Sequence, residues 1–385
     1  MNILVVAHYH YQGISVPTAL FVHDQMRAFI RAGHRVRILV PTPIGKVGQD
    51  GKRLLPVIYR ETVDGIEHVF LRYPSFSNFG EKGLNAACAA AFARWKMDEI
   101  LEGFKPDVIH AHKLGTNTEL GVVLKKATGC PLVFTSHGET GCEEPWMHDP
   151  AAIKDKADKA DQVICVSTNI HRCMTAAGVK APHRVILNGF SVEKIGTHSE
   201  KAPCSVMQAG HLTRQKRVSV TVDAFRLLKD RHPEATLAIL GEGDERQALE
   251  AQCADRGLRD SVRFTGQIPN QQALAEMGRT QFFVMPSVNE GFGIVYLEAM
   301  ASGCITIGTR GEGIADVIVD GENGFLVPPD DPEAIANVIE GCLAQPQWAE
   351  RIALQGEKAA RELNWDQNAR QYEALFQELI GKDRR

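Results

Sequence analysis

Phe282-Phe-Val-Met-Pro286, Ser287-Val-Asn-Glu290-Gly-Phe-Gly-Ile-Val-Tyr-Leu-Glu298-Ala-Met-Ala-Ser-Gly303 and Cys304-Ile-Thr-Ile-Gly308 follow one another without a break. The outer runs are short and apolar, as buried parallel strands are. Between them the pattern predicts a loop and then a helix. Gly291 and Gly293 let backbone amides approach a ligand closely. The helix N-terminus faces whatever lies beyond the strand ends, a place suited to an anion such as pyrophosphate. Two carboxylates frame the turn. Glu290, in the loop, is either a helix cap or a ligand group. Glu298 shares a helix face with Ile294, Val295 and Ala301, so it needs a partner: a ligand hydroxyl, an Arg or a backbone donor.

The same strand–loop–helix pattern repeats on both sides. Upstream, Asn2–Ala7, Arg35–Val40, Asp107–His112, Pro131–Ser136, Gln162–Ser167 and Arg184–Leu187 read as strands, with Thr62–Arg72 as a further strand region. Helical stretches separate them: 18–32, 83–103, 117–128, 151–160 and 168–177. A second set begins at Ser205–Ala209 and continues through Thr236–Leu240 and Ser261–Phe264 to the opening stretch and Gly324–Val327. Short, nearly continuous apolar strands alternating with helices mark sheets covered on both faces. The expected architecture is α/β, with two doubly wound halves and a ligand at strand carboxyl ends facing a cleft. Residues 1–189 form the first half, 190–203 a linker and 204–363 the second. Residues 364–385 carry a last helix.

The 385 residues are too many for one small core, which agrees with two domains. A composition of 44% hydrophobic and 23% charged residues is that of an ordinary globular protein. A net charge of −4 gives no reason to propose nucleic acid as a partner. The nine cysteines contain no C-x-x-C pair, which argues for a reducing compartment and against structural zinc. The N-terminus lacks a basic leader and no apolar run reaches membrane-spanning length, so a cytoplasmic location is expected. Basic residues at Arg27, Arg31, Arg35, Arg37, Lys46, Lys52 and Arg53 offer either a peripheral contact with an anionic membrane or a solvated surface.

Further candidates lie after predicted strands. Gly210-His-Leu-Thr-Arg214-Gln-Lys216-Arg217 is either a phosphate grip or a solvated basic loop. Gly241-Glu-Gly-Asp-Glu245 either sets a backbone turn against a nucleotide or starts a helix with acidic residues. His110, His112 and His137 end strands and raise the option of a metal hydrolase, but no acidic cluster with ligand spacing accompanies them. His137-Gly138 is the better candidate for contact with a substrate. The Gly311-Glu-Gly313 turn is a further place for backbone amides to reach the cleft.

Together these motifs resemble the retaining glycosyltransferases of family 4, which have the GT-B fold. The E-x7-E motif stands here as Glu290 and Glu298. Gly311–Val327, Leu240-Gly-Glu-Gly243, Asn188-Gly189, Ala32-Gly-His-Arg-Val36, Pro106–His112 and His137-Gly138 also match. The resemblance implies a nucleotide-diphosphate-sugar donor on the second domain. A saccharide, lipid-linked or small-molecule acceptor would bind the first, and the last helix, within 364–385, would cross back to that domain. The activity implied is hexosyl transfer without a metal or other cofactor, in cell-surface polysaccharide or glycoconjugate synthesis. The absence of Asp-x-Asp agrees with metal independence. By the same resemblance Glu290 holds hydroxyls of the transferred sugar, and the amides of Gly291, Phe292, Gly293 and Ile294 touch sugar and phosphate. Glu298 holds the ribose, Lys216 neutralises the leaving pyrophosphate, and His137 sits by the reacting sugar. Gly13 lets the first loop approach the phosphates, while Gln267 and Ile268 border the base. The chain departs from the family at His211, where Arg is frequent and Arg214 is the candidate replacement, and at Arg217 and Ser191. Rival readings are a GT-B epimerase or phosphorylase and a non-catalytic nucleotide-sugar-binding subunit.

Overall fold

The apolar runs assemble into two separate sheets in a computed structural model of the chain, which describes residues 1–8, 20–44, 56–74, 83–138, 149–196 and 200–383. The chain divides into two units, Met1–Gly189 with Trp365–Arg385, and Phe190–Asn364.

In the first unit the strands are β1 (Asn2–Val6), β2 (Arg35–Pro43), β3 (Ile58–Val63), β4 (Ile66–Tyr73), β5 (Val108–His112), β6 (Leu132–Ser136), β7 (Gln162–Cys165) and β8 (His183–Val185). They are ordered β3-β4-β2-β1-β5-β6-β7-β8. Ile3, Leu4, Val5 and Val6 are all fully buried, as a central strand covered on both faces requires. Around them lie α1 (Leu20–Arg31), α2 (Leu84–Trp95), α3 (Met97–Leu101), α4 (Thr116–Thr128), α5 (Pro150–Ala157) and α6 (Thr168–Ala176).

The strand region expected over Thr62–Arg72 is an antiparallel hairpin of β3 and β4 that begins earlier, at Ile58. It turns at Asp64 and Gly65, both at positive φ, which matches the twist of paired strands. The single helix expected over 83–103 is broken at Lys96, whose φ of −102° and ψ of 18° leave the helical region. The last helix, Trp365–Asp383, belongs to this first unit. Its Trp365, Ala369, Tyr372 and Phe376 are buried at three- and four-residue spacing. Phe29 of α1 packs edge-on to Tyr372, with ring centres 6.1 Å apart. The Gln25 amide donates to Asn368 Oδ1 at 2.7 Å, and Asn368 donates to the Leu187 carbonyl at 2.8 Å.

The second unit has β9 (Ala202–Ala209), β10 (Thr236–Leu240), β11 (Val262–Gly266), β12 (Thr280–Val284), β13 (Ile305–Thr309) and β14 (Phe325–Val327). All pair in parallel, in the order β11-β10-β9-β12-β13-β14. The helices are α7 (Val218–Arg231), α8 (Arg246–Asp255), α9 (Asn270–Arg279), α10 (Ile294–Ala301), α11 (Pro332–Ala344) and α12 (Pro346–Glu362). Val206, Val222, Phe225, Leu237, Ile239, Phe282, Val284 and Ile307 form the middle of its core. Each such side chain contributes about 1.5–3 kcal/mol by leaving water. The expected linker over 190–203 contains a 3-10 turn at Val192–Lys194 and the first residues of β9, and Phe190 is buried. Among the described residues no helix is long and apolar enough to cross a membrane.

The strand order reverses between β9 and β12, so the loops leaving these neighbours diverge to opposite sides. Such a switch point opens a crevice at the carboxyl ends of a parallel sheet. Lys216 follows β9 and Glu290 follows β12.

Candidate active site

After β9 the chain passes Gly210 and buries Leu212, then makes a 3-10 turn at Arg214–Lys216. Arg217, at a φ of 50°, ends the turn and starts α7. Gln208 donates to the Lys216 carbonyl at 2.7 Å and anchors the loop back to its strand. The Lys216 side chain runs over Gly210, and a Cβ there would touch its Cε at 3.7 Å, an ordinary contact. The Lys216 ammonium reaches across the switch point and pairs with the Glu290 carboxylate. Both side chains are largely withdrawn from water, at 18% and 12% exposure.

The Glu290 loop is held from two sides. On one, Val288 N–H donates to the Gln215 carbonyl at 3.0 Å, and the Gln215 amide donates to the Asn289 carbonyl at 2.8 Å. On the other, Glu312 accepts Asn289 N–H at 3.0 Å and Glu290 N–H at 2.8 Å. Gly293 stands at a φ of 77°, and a Cβ there would meet the Tyr296 ring at 2.7 Å. Tyr296 is fully buried beneath the loop and donates to the Met285 carbonyl at 2.5 Å, and burial pushes its phenol pKa up. Gly313 allows the next loop to close on Gly291, since a Cβ there would lie 2.2 Å from the Gly291 carbonyl. Gly293 supplies no side-chain cap to α10, and although Tyr296 N–H donates to the Gly293 carbonyl at 3.0 Å, the amides of Ile294 and Val295 can serve an external acceptor. A cation, a carboxylate and an uncapped helix start therefore stand together.

The other predicted residues of this unit are distributed around that centre. Phe292 is buried and Ile294 half-buried. Glu298 is half-buried and accepts from Asn270 at 3.1 Å. Of the residues expected to share its face, Ile294 and Val295 are likewise half-buried and Ala301 is buried, and Asn270 supplies a partner for the carboxylate. Gly241, at a φ of 129°, packs against the Gly210 carbonyl, which a Cβ would approach to 1.9 Å, so its lack of a side chain is required by loop packing. Gln267 is exposed and Ile268 half-buried just after β11. The basic cluster splits. Arg214 is 88% exposed beside Glu245, 3.4 Å away, and Arg217 faces Asp330 at 2.8 Å. His211 is exposed. Gly13 lies outside the described residues.

His137 belongs to the first unit, at the end of β6. Its Nε2 is 2.9 Å from His112 Nδ1, and the two rings stack with centres 5.2 Å apart. Burial lowers both imidazole pKa values, with Lys113 adding to the effect, and His112 falls to about 3. His110 bonds Thr135 at 2.8 Å, and Thr135 bonds Tyr372 of the last helix at 2.9 Å. These three histidines do not form a close ligand group. Sequence reasoning did not find the roles of Gln215, Glu312 or His112. Glu312 had left one signal, a carboxylate between two glycines in a loop after a strand.

A family model described as "Glycosyltransferase Family 4" matches residues 18–194, and one described as "Glycosyl transferases group 1" matches residues 194–359. The chain belongs to the family 4 glycosyltransferases, and its two parallel-sheet α/β units are those of the GT-B fold. It is 26% identical over 361 residues to a glycogen synthase of Mycobacterium tuberculosis, covering 89% of this chain and 84% of that protein. It is also 26% identical over 366 residues to a phosphatidyl-myo-inositol mannosyltransferase of Mycobacterium leprae, covering 92% and 91%. The crystal structure of HepE from Anabaena in complex with UDP and glucose shares the fold with a TM-score of 0.73. It is 19% identical, with 98% of this chain and 100% of that one covered.

Proposed function

We propose that this glycosyltransferase moves a sugar from a nucleotide-diphosphate donor to a hydroxyl acceptor with retention of anomeric configuration and without a metal. The Lys216–Glu290 pair beside the uncapped start of α10 is the observation that carries this reading. Without donor, each partner neutralises the other. When donor binds, Lys216 turns to the diphosphate and Glu290 takes hydroxyls of the sugar. The bond between the anomeric carbon and the phosphate oxygen breaks as the acceptor oxygen bonds to that carbon. The acceptor proton passes to the leaving phosphate oxygen. Lys216 and the α10 amides stabilise the charge that develops there, which is worth most in a site shielded from water.

Glu298 and Asn270 are assigned to the ribose, Gln267 and Ile268 to the base, and the first unit, with His137, to the acceptor side. UDP-sugars are the first donors to try, because the HepE structure holds UDP and glucose. A saccharide or lipid-linked acceptor fits the two enzymes quoted above. Thermal-shift screening with UDP-, GDP- and ADP-sugars selects the donor, since a ligand bound only by the native state raises its stability. Donor turnover in the presence of a chelator, followed by NMR assignment of the anomeric product, tests the rest. Inverted product would sink the retaining mechanism, and loss of turnover with chelator would sink metal independence.

A further inference from the structure

Outside the donor site, one group of side chains combines a thiol, an imidazole and a carboxylate. Cys204, His232 and Glu234 each place one ligand atom within 4.8 Å of the other two. They lie at the amino ends of β9 and β10, the end of the sheet away from Glu290. Cys204 is buried and its thiol is free. The His232 and Glu234 side chains are 29% and 60% exposed, so a solvent ion has a path to the group.

The backbone is built to bring these groups together. Thr280 pairs with Ala202 but Phe282 pairs with Val206, so three residues of β9, 203–205, face Gln281 alone. Extra residues of this kind bend a strand and re-aim a side chain. Cys204 sits at the bend with a φ of 52°, a conformation disfavoured for a residue with a Cβ. The Gln281 side-chain carbonyl pins it by accepting Cys204 N–H at 2.8 Å. On the other side, the turn from α7 to β10 is braced before any ion arrives. Ala235 N–H donates to the His232 carbonyl at 2.9 Å, and the Lys229 ammonium donates to the carbonyls of Pro233 and Ala235. His232 and Glu234 are two residues apart on that turn, with Nδ1 and Oε1 at 3.4 Å.

We infer that Cys204, His232 and Glu234 form a binding site for a divalent transition-metal ion of the zinc class, with water completing the shell. Thiolate, imidazole and carboxylate are the usual zinc ligands, and three of them leave an open fourth position. On binding, the thiol proton leaves to solvent and a sulfur–metal bond forms. Thiolate and carboxylate together balance the two charges of the ion, with the imidazole neutral. The bound ion clips the first residues of β9 to the turn that starts β10. A small hydrophobic role for Cys204 in the core is the competing account.

Cobalt(II) separates the two, because a thiolate ligand adds a charge-transfer band to the spectrum. Titration of the full chain, purified free of metal, should develop that band with one equivalent of cobalt, and zinc should displace it. The band should vanish in Cys204→Ser and weaken in His232→Ala. Zinc should raise the Tm of the wild type and leave that of the double variant His232→Ala/Glu234→Gln unmoved. That double variant leaves the buried Cys204 unchanged, so it covers the case in which Cys204→Ser does not fold. No band, or a band that persists in Cys204→Ser or in the double variant, overturns the site.

Discussion

The Glu312 carboxylate accepts the backbone N–H of Glu290 at 2.8 Å, while its second oxygen accepts that of Asn289 at 3.0 Å. The residue that presents a carboxylate to Lys216 is thus itself positioned by a carboxylate from the next loop. Charge-assisted bonds of this kind contribute about 1.5–3 kcal/mol each. Glu312→Ala should therefore lower kcat/KM for transfer by about tenfold to a hundredfold. Glu312→Gln, which keeps one acceptor oxygen, should recover part of the loss. Steady-state kinetics on both variants checks this, and equal losses would remove Glu312 as a positioning residue.

Lys216→Ala and Glu290→Ala should each lower turnover by about 10²–10³, the range seen when one group stabilising a transition state is removed. Far-UV circular dichroism should stay native, because neither side chain belongs to the core of its unit. Wild-type transfer rates in both variants would refute the donor-site assignment.

The stacked pair His112 and His137 gives the first unit an acid weakness. Burial holds their folded pKa values below the ordinary imidazole value of 6.5, with His112 at about 3. A depressed folded pKa favours the neutral form. The stability it reports is therefore fully present above pH ~6.5, and it is lost as pH falls toward the folded values. Each group costs about 1.4 kcal/mol per pH unit within that window. Urea unfolding followed between pH 7 and pH 4 should show a steep fall in the midpoint for the wild type. His112→Asn should have a shallower dependence, and identical slopes would count against the pair as its source.

Gly241 and Gly257 separate contact from conformation. Both have positive φ, 129° and 70°. A Cβ on Gly257 meets nothing within 4 Å, whereas one on Gly241 would lie 1.9 Å from the Gly210 carbonyl. Gly257→Ala should cost about 1–2 kcal/mol of left-handed strain. Gly241→Ala should cost more, because the loop after β9 must move. Chemical denaturation of the two variants gives the comparison, with a larger loss in Gly257→Ala contradicting it.

Much of the fold was legible in the chain. Continuous apolar runs such as Phe282–Val284 can be buried only in a covered sheet, and the glycines after them announce the loops. The E-x7-E spacing placed Glu290 in a loop and Glu298 on the following helix, where both stand. Helical periodicity named the residues that share a face with Glu298 but not its polar partner, Asn270, which comes from the preceding helix. Alternation marked strands over Thr62–Arg72 but not the start of β3 at Ile58, where the pattern of buried residues is weak. The roles of Gln215 and Glu312 depend on backbone atoms of another loop, and side-chain identity carries no record of those.

The sequence by itself determined the order of strands, loops and helices, the glycines at strand ends and the two carboxylates of the motif, because periodicity and spacing are local properties. Only the tertiary structure decided that β9 lies beside β12 with the strand order reversing between them. It alone brought Lys216 to Glu290 and Glu312 to the Glu290 amide, pairings across 74 and 22 residues. They follow from how the sheets and helices bury their apolar faces together, which no single stretch of chain specifies.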